Sequence, residues 1–109
     1  MKTIVWIAID MLQRIEVMHS ANFIHRDIKT ENFCIGLGKK CTSVFLIDFG
    51  LSKRFKCPRT MNHISYKDKG IAVGTLRFSS REATRGFEVS RRDDLEAIGY
   101  ILVYLAKEG

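Results

Sequence analysis

Residues 25–32 read HRDIKTEN and lie between a stretch with helical spacing and a strongly apolar run. This short segment carries a carboxylate at Asp27, a cation at Lys29 and an amide at Asn32. These groups can accept a proton, contact an anion and ligate a hard metal ion. The segment is therefore a candidate active-site loop, and the sequence on either side indicates which fold holds it.

Composition sets broad limits on the class of protein. The chain has 109 residues, 46% of them hydrophobic, and a single proline, which is typical of a folded domain or a piece of one rather than of a disordered segment. Lys and Arg outnumber Asp and Glu by 18 to 12. This excess favours anionic partners such as phosphates, acidic peptides or nucleic acid, although an ordinary solvated surface can have the same charge.

The spacing of the cysteines bears on metal binding and on the cellular compartment, and the hydropathy bears on membrane association. The three cysteines have no C-x-x-C spacing and the three histidines are not placed to complete a zinc site. An odd number of cysteines, without an export signal, favours reduced thiols in the cytoplasm or nucleus. No apolar run approaches the roughly 20 residues of a membrane span, so we expect no membrane association.

The apolar pattern predicts two helices and a hairpin around the loop. Apolar residues at helical spacing, among them Met11, Leu12 and Ile15, predict a first helix over residues 3–19. The short apolar runs at 33–35 and 44–47, separated by the turn GLGKKCTS, predict a β-hairpin. Residues 48–90 are polar, broken by glycines and without sustained periodicity, which predicts a long functional loop. The fold class expected is mainly α with a short β-hairpin.

The last helix is predicted from residue 90 onward. Residues 90–93, SRRD, have the form of a capping box, and apolar residues follow at helical spacing: Leu95, Ile98, Leu102 and Leu105. Further apolar residues widen this surface nearly all round the helix. We therefore expect the helix to be buried within a larger body than these 109 residues supply.

Phosphoryl transfer is the chemistry that the loop fits best. It requires a positioned hydroxyl, a group that accepts its proton, and metal ions and cations that neutralise phosphate charge. Asp27 can accept the proton, Lys29 can contact the phosphate, and Asn32 offers an amide oxygen to Mg²⁺.

A second metal ligand is expected from residues 46–50, LIDFG. Asp48 stands at the end of a buried strand, Phe49 is expected to anchor the segment, and Gly50 is expected to permit the backbone turn. Each of the two motifs alone is a weak signal. Together, in this order across a predicted hairpin, they are a strong one.

The sequence resembles the eukaryotic protein kinases, and more closely the casein kinase I family of Ser/Thr kinases. Lys29 within the loop is the Ser/Thr form of the motif rather than the tyrosine form. The resemblance covers nearly the whole chain and is carried by the segments RIEVMHSANFIHRDIKTENF, VFLIDFGLSKRF, HISYKDKG, GTLRFSS and SRRDDLEAIGYILVYL.

The resemblance implies ATP-dependent phosphorylation of proteins with Mg²⁺ as a cofactor. It implies Asp27 as the proton acceptor and Lys29 as the lysine that contacts the phosphate of bound ATP. Asn32 and Asp48 would be the magnesium ligands.

It also implies structural roles for residues around the loop. His25 and Phe49 resemble members of the hydrophobic spine, and Thr75 would bridge Asp27 and Lys29. Asp94 on the last helix would brace the backbone of the catalytic loop. A carboxylate at this place is also favoured by the helix dipole, which is compatible with the same geometry.

Basic residues suggest a class of substrate. Arg77, with Arg54 and Lys69, matches positions that in this family bind an anion and favour acidic or pre-phosphorylated protein substrates. Arginine suits phosphate through forked hydrogen bonding. The alternative for these residues is solvated surface charge.

Two substitutions depart from the family pattern. Thr30 replaces the usual proline after the loop lysine, which loses local stiffness but no catalytic group. Residues 80–82 read SRE where the family has Ser-Ile-Asn and most kinases have Ala-Pro-Glu. The arginine that pairs with this glutamate in other kinases lies further along the chain, so we expect Glu82 to be unpaired, or differently paired, within residues 1–109.

The resemblance implies that residues 1–109 form a partial kinase domain. They would comprise the helix before the catalytic loop, that loop, the magnesium loop, the activation segment and the central helix of the C-terminal lobe. The N-terminal lobe and the distal helices would be absent, since GLGKK follows the catalytic loop and is a hairpin turn rather than a phosphate loop. We therefore expect the isolated segment to be inactive.

Two alternatives belong to other functional classes. The first is a non-catalytic kinase remnant that acts as a binding or scaffold protein, against which the intact Asp27, Asn32 and Asp48 weigh. The second, a basic nucleic-acid-binding module, rests on charge alone and has no recognisable motif.

Overall fold

The structure is a computed structural model that describes residues 2–40, 43–65 and 76–108. The helices are α1 (Lys2–Ser20), α2 (Arg81–Thr84) and α3 (Arg91–Glu108), and the strands are β1 (Phe23–Ile24), β2 (Phe33–Ile35), β3 (Val44–Leu46) and β4 (Lys53–Arg54). Short 3-10 turns lie at Thr30–Asn32, Gly38–Lys40 and Leu76–Phe78. In the described ranges, no helix is long and apolar enough to cross a membrane.

Helix α1 confirms the first predicted helix and buries one stripe of it. Met11 and Ile15 are buried, whereas Leu12, which the pattern placed with them, is largely exposed. The helix ends at Ser20, and Asn22, in the turn that follows, has a φ of +72° and donates its backbone N–H to the carbonyl of His19. Asparagine tolerates this left-handed conformation better than most residues, so it stops the helix and directs the chain into the loop.

The predicted hairpin is confirmed and is tied to α1. Strands β2 and β3 pair antiparallel, with Phe33 opposite Leu46. The backbone of Val44 donates to Oδ2 of Asp10 at 2.9 Å and accepts from Nε of Arg14 at 2.7 Å. These two polar residues of α1 therefore fix the hairpin against the helix, because they satisfy backbone groups that the hairpin leaves open.

A second small sheet was not predicted. Strands β1 and β4 pair antiparallel, with Phe23 opposite Arg54. Both strands have only two residues, and such short segments carry no readable periodicity. The prediction of one hairpin was therefore incomplete, and part of the predicted loop over 48–90 belongs to this sheet and to α2.

Helix α3 begins as its capping signal predicts. The backbone N–H of Ser90 donates to Oδ2 of Asp93 at 2.8 Å, which is the half of the capping box made by the third helical residue. Of its apolar residues, Ala97, Ile98 and Ile101 are buried within this chain, whereas Leu95 is 44% exposed.

The core lies between α1, α3 and β3, and one residue of the HRDIKTEN loop reaches into it. Ile28 is 4% exposed and packs in the same cluster as Met11, Val44 and Ile98. Burying one aliphatic side chain of this size contributes about 1.5–3 kcal/mol. The loop is therefore anchored in the core between the two residues, Asp27 and Lys29, whose side chains are candidates for chemistry.

Candidate active site

Asp94 connects α3 to the candidate loop. Its buried carboxylate accepts the backbone N–H of His25 at 2.8 Å and that of Arg26 at 3.0 Å. Oδ2 also lies 2.9 Å from Nε2 of His19 on α1. A carboxylate that accepts several hydrogen bonds at once holds the donors rigidly, because each bond to an ionised acceptor is stronger than a neutral one. Asp94 thus fixes the loop backbone just before Asp27.

Arg26 has a backbone conformation that requires such support. Its φ is +72°, a left-handed value that costs of order 1–3 kcal/mol for a residue with a side chain. Asp94 accepts its N–H, and its own Nε donates to the carbonyl of Leu51 at 2.7 Å. The strained backbone at Arg26 is therefore stabilised by one hydrogen bond from its N–H and one from its side chain.

His25 is buried completely and links the two motif segments. Its Nδ1 accepts the backbone N–H of Asp27 at 3.1 Å, so its Nε2 must be the protonated nitrogen that donates to the carbonyl of Ile47 at 3.0 Å. Both ring nitrogens are thus committed to the backbone. The ring also makes an edge contact with Phe49, with centroids 5.6 Å apart. His25 is a structural histidine rather than a base.

The backbone of Ile47 joins the loop to the end of β3. Its carbonyl accepts from His25, and its N–H donates to the carbonyl of Asn32 at 2.9 Å. Since Asp48 is the next residue, these two bonds bring the HRDIKTEN loop and the LIDFG segment together. The two motifs that were separate in sequence therefore share one site.

Two loop side chains, those of Asn32 and Lys29, lie next to the carboxylate of Asp27. Nδ2 of Asn32 donates to the backbone carbonyl of Asp27 at 2.8 Å and lies 3.4 Å from its Oδ2. Nζ of Lys29 lies 3.8 Å from the same Oδ2. Lys29 and Asp27 are both partly shielded from solvent. The carboxylate of Asp27 is thus oriented by an amide and accompanied by a cation.

Asp48, rather than Gly50, has the left-handed backbone conformation in this segment, whereas Gly50 lies within the turn that the N–H of Ser52 closes onto the carbonyl of Phe49. Asp48 has a φ of +58°, and its Oδ1 accepts the backbone N–H of Gly50 at 3.3 Å. Gly50, which was expected to permit the backbone turn, does lie in a turn but has no left-handed φ. A Cβ at Gly50 would lie 3.3 Å from Oδ1 of Asp48, so the glycine instead leaves room for that carboxylate.

The residues present fit a magnesium ion in their chemistry. Asn32 uses its amide nitrogen for Asp27, which leaves its amide oxygen available, and Asp48 carries a solvent-exposed carboxylate on the neighbouring segment. Oxygen ligands of this kind suit Mg²⁺. No cluster of three or more His, Cys, Asp or Glu side chains suited to a metal occurs in the described ranges.

Phe49 is less buried than an anchor would be. It is 55% exposed and lines an open apolar groove of about 640 Å³ with Met18, Phe23 and Phe45. Its contact with His25 holds only one edge of the ring.

The basic residues have different neighbours. The guanidinium of Arg77 lies over the rings of Phe78 and Tyr104, at 4.7 and 5.0 Å, and Nη1 is 3.6 Å from Oε2 of Glu31. Arg54 lies over Phe23, at 4.8 Å, on the β1–β4 sheet. Lys69, and likewise Thr75, lies outside the described residues.

The two departures from the family pattern have local partners. The hydroxyl of Thr30 donates to Oε1 of Glu31 at 2.7 Å, which lowers the pKa of that carboxyl. Glu82 lies 3.8 Å from Nη1 of Arg85. The prediction that Glu82 is unpaired was therefore wrong. The alternative, a partner other than the usual arginine, is what the structure shows, and that partner is Arg85.

Two contributors were missed by sequence reasoning. His19 contacts Asp94 across 75 positions of the chain, and Ser80 donates to Oδ1 of Asp93 at 2.5 Å while its hydroxyl accepts the N–H of Ala83. No local pattern indicates the contact of His19. The pair of Ser80 and Ala83 could have been found as an N-cap signal before residues 81–84.

The fold and the site together define a domain with the groups that phosphoryl transfer requires, namely a positioned carboxylate, a cation and two oxygen ligands for a metal. A family model of the protein kinase domain matches residues 1–108, and the chain belongs to the protein kinase family. Protein kinase domains are transferases that phosphorylate proteins and in general use ATP and Mg²⁺.

Proposed function

We propose that residues 1–109 are the catalytic-core segment of a casein kinase I-like Ser/Thr protein kinase, equivalent to the middle of its C-terminal lobe. The observation that carries the proposal is the junction at Ile47, whose backbone bonds to His25 and Asn32 join the two motif segments. The narrower assignment to casein kinase I rests on the sequence resemblance, above all over residues 90–96.

In the proposed reaction Asp27 accepts the proton of a substrate serine or threonine hydroxyl. The amide of Asn32 lies 3.4 Å from Oδ2 of this carboxylate and also donates to the backbone carbonyl of Asp27 at 2.8 Å, so it positions the residue for this role. Lys29, 3.8 Å away, contacts the negatively charged phosphoryl group, and the oxygens of Asn32 and Asp48 would hold Mg²⁺. When bound, Mg²⁺ neutralises charge on the phosphate oxygens.

The proposed substrates are proteins with acidic or pre-phosphorylated segments. Support comes from Arg77, which is exposed beside the catalytic loop, where it contacts Glu31. We propose a cytoplasmic or nuclear location, which the free thiols of Cys34 and Cys57 support.

Residues 1–109 alone should not transfer phosphate from ATP to casein. The reason is that this polypeptide has no glycine-rich loop ahead of residues 25–32 that could cover the nucleotide. Incorporation of labelled phosphate by the purified polypeptide measures this. If the native polypeptide transfers phosphate and Asp27→Asn does not, the expectation that residues 1–109 are inactive is contradicted.

The catalytic assignment is tested by grafting residues 1–109 in place of the matching segment of a complete casein kinase I domain. We expect the chimera to phosphorylate casein on serine and threonine, and Asp27→Asn to reduce the rate by about 100-fold or more, since general base catalysis contributes that much. Phosphate incorporation and phosphoamino-acid analysis are the measurements.

The matched control is Glu16→Gln, which neutralises an exposed carboxylate on α1 and should leave the rate unchanged. A folded chimera without transfer would count against catalysis and would favour the alternative of a non-catalytic scaffold. Transfer to tyrosine would contradict the Ser/Thr assignment.

A further inference from the structure

Helix α1 has a second apolar stripe, on a side that the core does not cover. Val5, Ile9 and Leu12 follow one another at spacings of four and three residues, and they are 51%, 50% and 43% exposed. Met11 and Ile15, which face the core, are each 1% exposed. Spacing that alternates between three and four residues keeps side chains on one face of a helix. The three exposed residues therefore form one continuous apolar face, called here the α1 stripe.

Charged residues of opposite sign stand at the two ends of the α1 stripe. Lys2 precedes Val5 by three residues and Glu16 follows Leu12 by four, so both continue the same spacing. Both side chains are exposed, and neither has an ion pair within the part of the chain that the structure describes. A cation in the first turn of a helix is also unfavourable toward the helix dipole. Lys2 and Glu16 therefore lack a favourable partner on α1 itself.

The surroundings of Glu16 leave its carboxylate open. Leu95 of α3 is 44% exposed and extends the stripe, since it lines one open groove with Leu12 and Glu16. Lys56 and Arg91 also line this groove, but each cation lies over an aromatic ring, at 5.8 and 4.5 Å from its centroid. In the described ranges, neither cation forms an ion pair with Glu16. The carboxylate is therefore available to a cation from outside the chain.

The α1 stripe is complementary to a second copy of itself that runs in the opposite direction. Ile9 stands seven residues from Lys2 and seven from Glu16. When two copies of α1 cross at Ile9 in antiparallel orientation, Val5 of each copy lies beside Leu12 of the other, and Lys2 lies beside Glu16. Such an interface has two-fold symmetry, because the same patch is used on both copies. It covers every apolar residue of the stripe and pairs the end charges twice.

We propose that two copies of this chain associate through the α1 stripe as an antiparallel dimer with two-fold symmetry. A partner surface with a single sign of charge matches only one end of the stripe, whereas a second copy matches both ends. The stripe contains none of the candidate active-site residues, so the proposal is independent of phosphoryl transfer.

The small size of the stripe sets the strength expected of the dimer. Interfaces that bury little area are weak or transient, so we expect the chain to be monomeric at about 1 µM and below. At such concentrations Glu16→Gln remains a neutral control for measurements of activity and unfolding.

The test is sedimentation equilibrium of residues 1–109 over about a hundredfold range of protein concentration, since dimer formation increases with concentration by mass action. We expect the weight-average mass to approach twice that of the monomer at the highest concentrations. Ile9→Gln places a polar side chain at the crossing point in both copies, and it should raise the dissociation constant by about tenfold or more. A native chain that stays monomeric throughout overturns the proposal and assigns the stripe to a partner of different sequence.

The matched control is Val103→Gln, on the exposed side of α3. Val103 is 55% exposed and lies outside the α1 stripe, so the dissociation constant should stay within about twofold of the native value. If this control weakens association as much as Ile9→Gln, general hydrophobicity explains association and the proposal is wrong. Both substituted side chains are exposed in the monomer, and circular dichroism establishes that each variant keeps its helices.

Charge reversal tests the antiparallel direction. Lys2→Glu and Glu16→Lys should each raise the dissociation constant by about threefold or more, because each replaces two attractive contacts by two repulsive ones. The double variant Lys2→Glu/Glu16→Lys exchanges the two charges and should recover the native value. A parallel pair places like charges together before and after a single reversal, so unchanged association in both single variants contradicts the proposal.

A mixture of the two single variants supplies a last check. In an equal mixture of Lys2→Glu and Glu16→Lys, each chain carries the charges that the other lacks, so a mixed dimer should form about as readily as the native dimer. If the mixture associates no better than the separate variants, the end charges do not pair and the proposed arrangement is wrong.

Discussion

Asp94 illustrates how one residue positions the candidate active-site loop. Its carboxylate accepts two backbone N–H groups and contacts His19, so it connects α1, α3 and the loop at a single buried point. The strained φ of Arg26 depends on this support. At the residue scale, the candidate site is thus organised by a buried carboxylate that holds the loop backbone in place.

Replacing this carboxylate by an amide should destabilise the chain. In Asp94→Asn one acceptor oxygen becomes a donor, which leaves the N–H of His25 or Arg26 without an acceptor. We expect the free energy of unfolding to fall by about 1–3 kcal/mol, the cost of one unsatisfied buried group. Urea unfolding measures it.

Glu16→Gln is the control, and its free energy of unfolding should stay within about 0.5 kcal/mol of the native value. Equal unfolding midpoints for Asp94→Asn and Glu16→Gln would show that Asp94 does not support the loop.

Helix α2 shows how a very short element is stabilised by its neighbours. It has four residues, too few to be stable alone, because helix nucleation is unfavourable. Ser80 caps its N-terminus by accepting the N–H of Ala83, and the same hydroxyl donates to Asp93 in the first turn of α3. At the element scale, α2 is therefore an extension of the α3 N-terminus.

Ser80→Ala should remove both bonds. The loss of the cap costs about 1 kcal/mol, and Oδ1 of Asp93 loses its buried donor, which adds about 1–3 kcal/mol. We expect a lower urea midpoint than in Ser20→Ala, a control at the exposed end of α1. A midpoint equal to that of Ser20→Ala would contradict the role of Ser80.

The molecule as a whole has one core and several uncovered apolar surfaces. The core joins α1, β3 and α3 through Met11, Val44 and Ile101. The other side of α3 carries exposed apolar side chains, among them Val103 at 55% exposure. The sequence predicted that α3 is apolar nearly all round. In this chain one side of the helix is buried in the core and the other apolar side is exposed.

Two substitutions on α3 distinguish the core from that surface. Ile101→Ala should lower the free energy of unfolding by about 2–5 kcal/mol, because it leaves a cavity between α1 and α3. Val103→Ala, on the exposed side, should change it by less than about 0.5 kcal/mol. Thermal unfolding measures both, and similar losses would mean that the core does not lie where the structure places it.

The sequence by itself determined the two long helices, the hairpin and the residues of the candidate site. Helical spacing, turn residues and the HRDIKTEN and LIDFG motifs are local, and local patterns can be read without knowing what lies nearby. The choice of Asp27, Lys29, Asn32 and Asp48 as candidates depended on such patterns and on the resemblance that they carry.

Only the tertiary structure decided which distant residues meet. The pairing of β1 with β4, the contact of His19 with Asp94, and the exposure of the α1 stripe all depend on how the chain folds back on itself. Periodicity indicates which side of a helix is apolar but not which part of that side another element covers, so it could not show that Leu12 and Leu95 are exposed. The left-handed φ of Asp48 likewise depends on the bonds that hold its segment against the loop, since its residue type tolerates this conformation but does not require it.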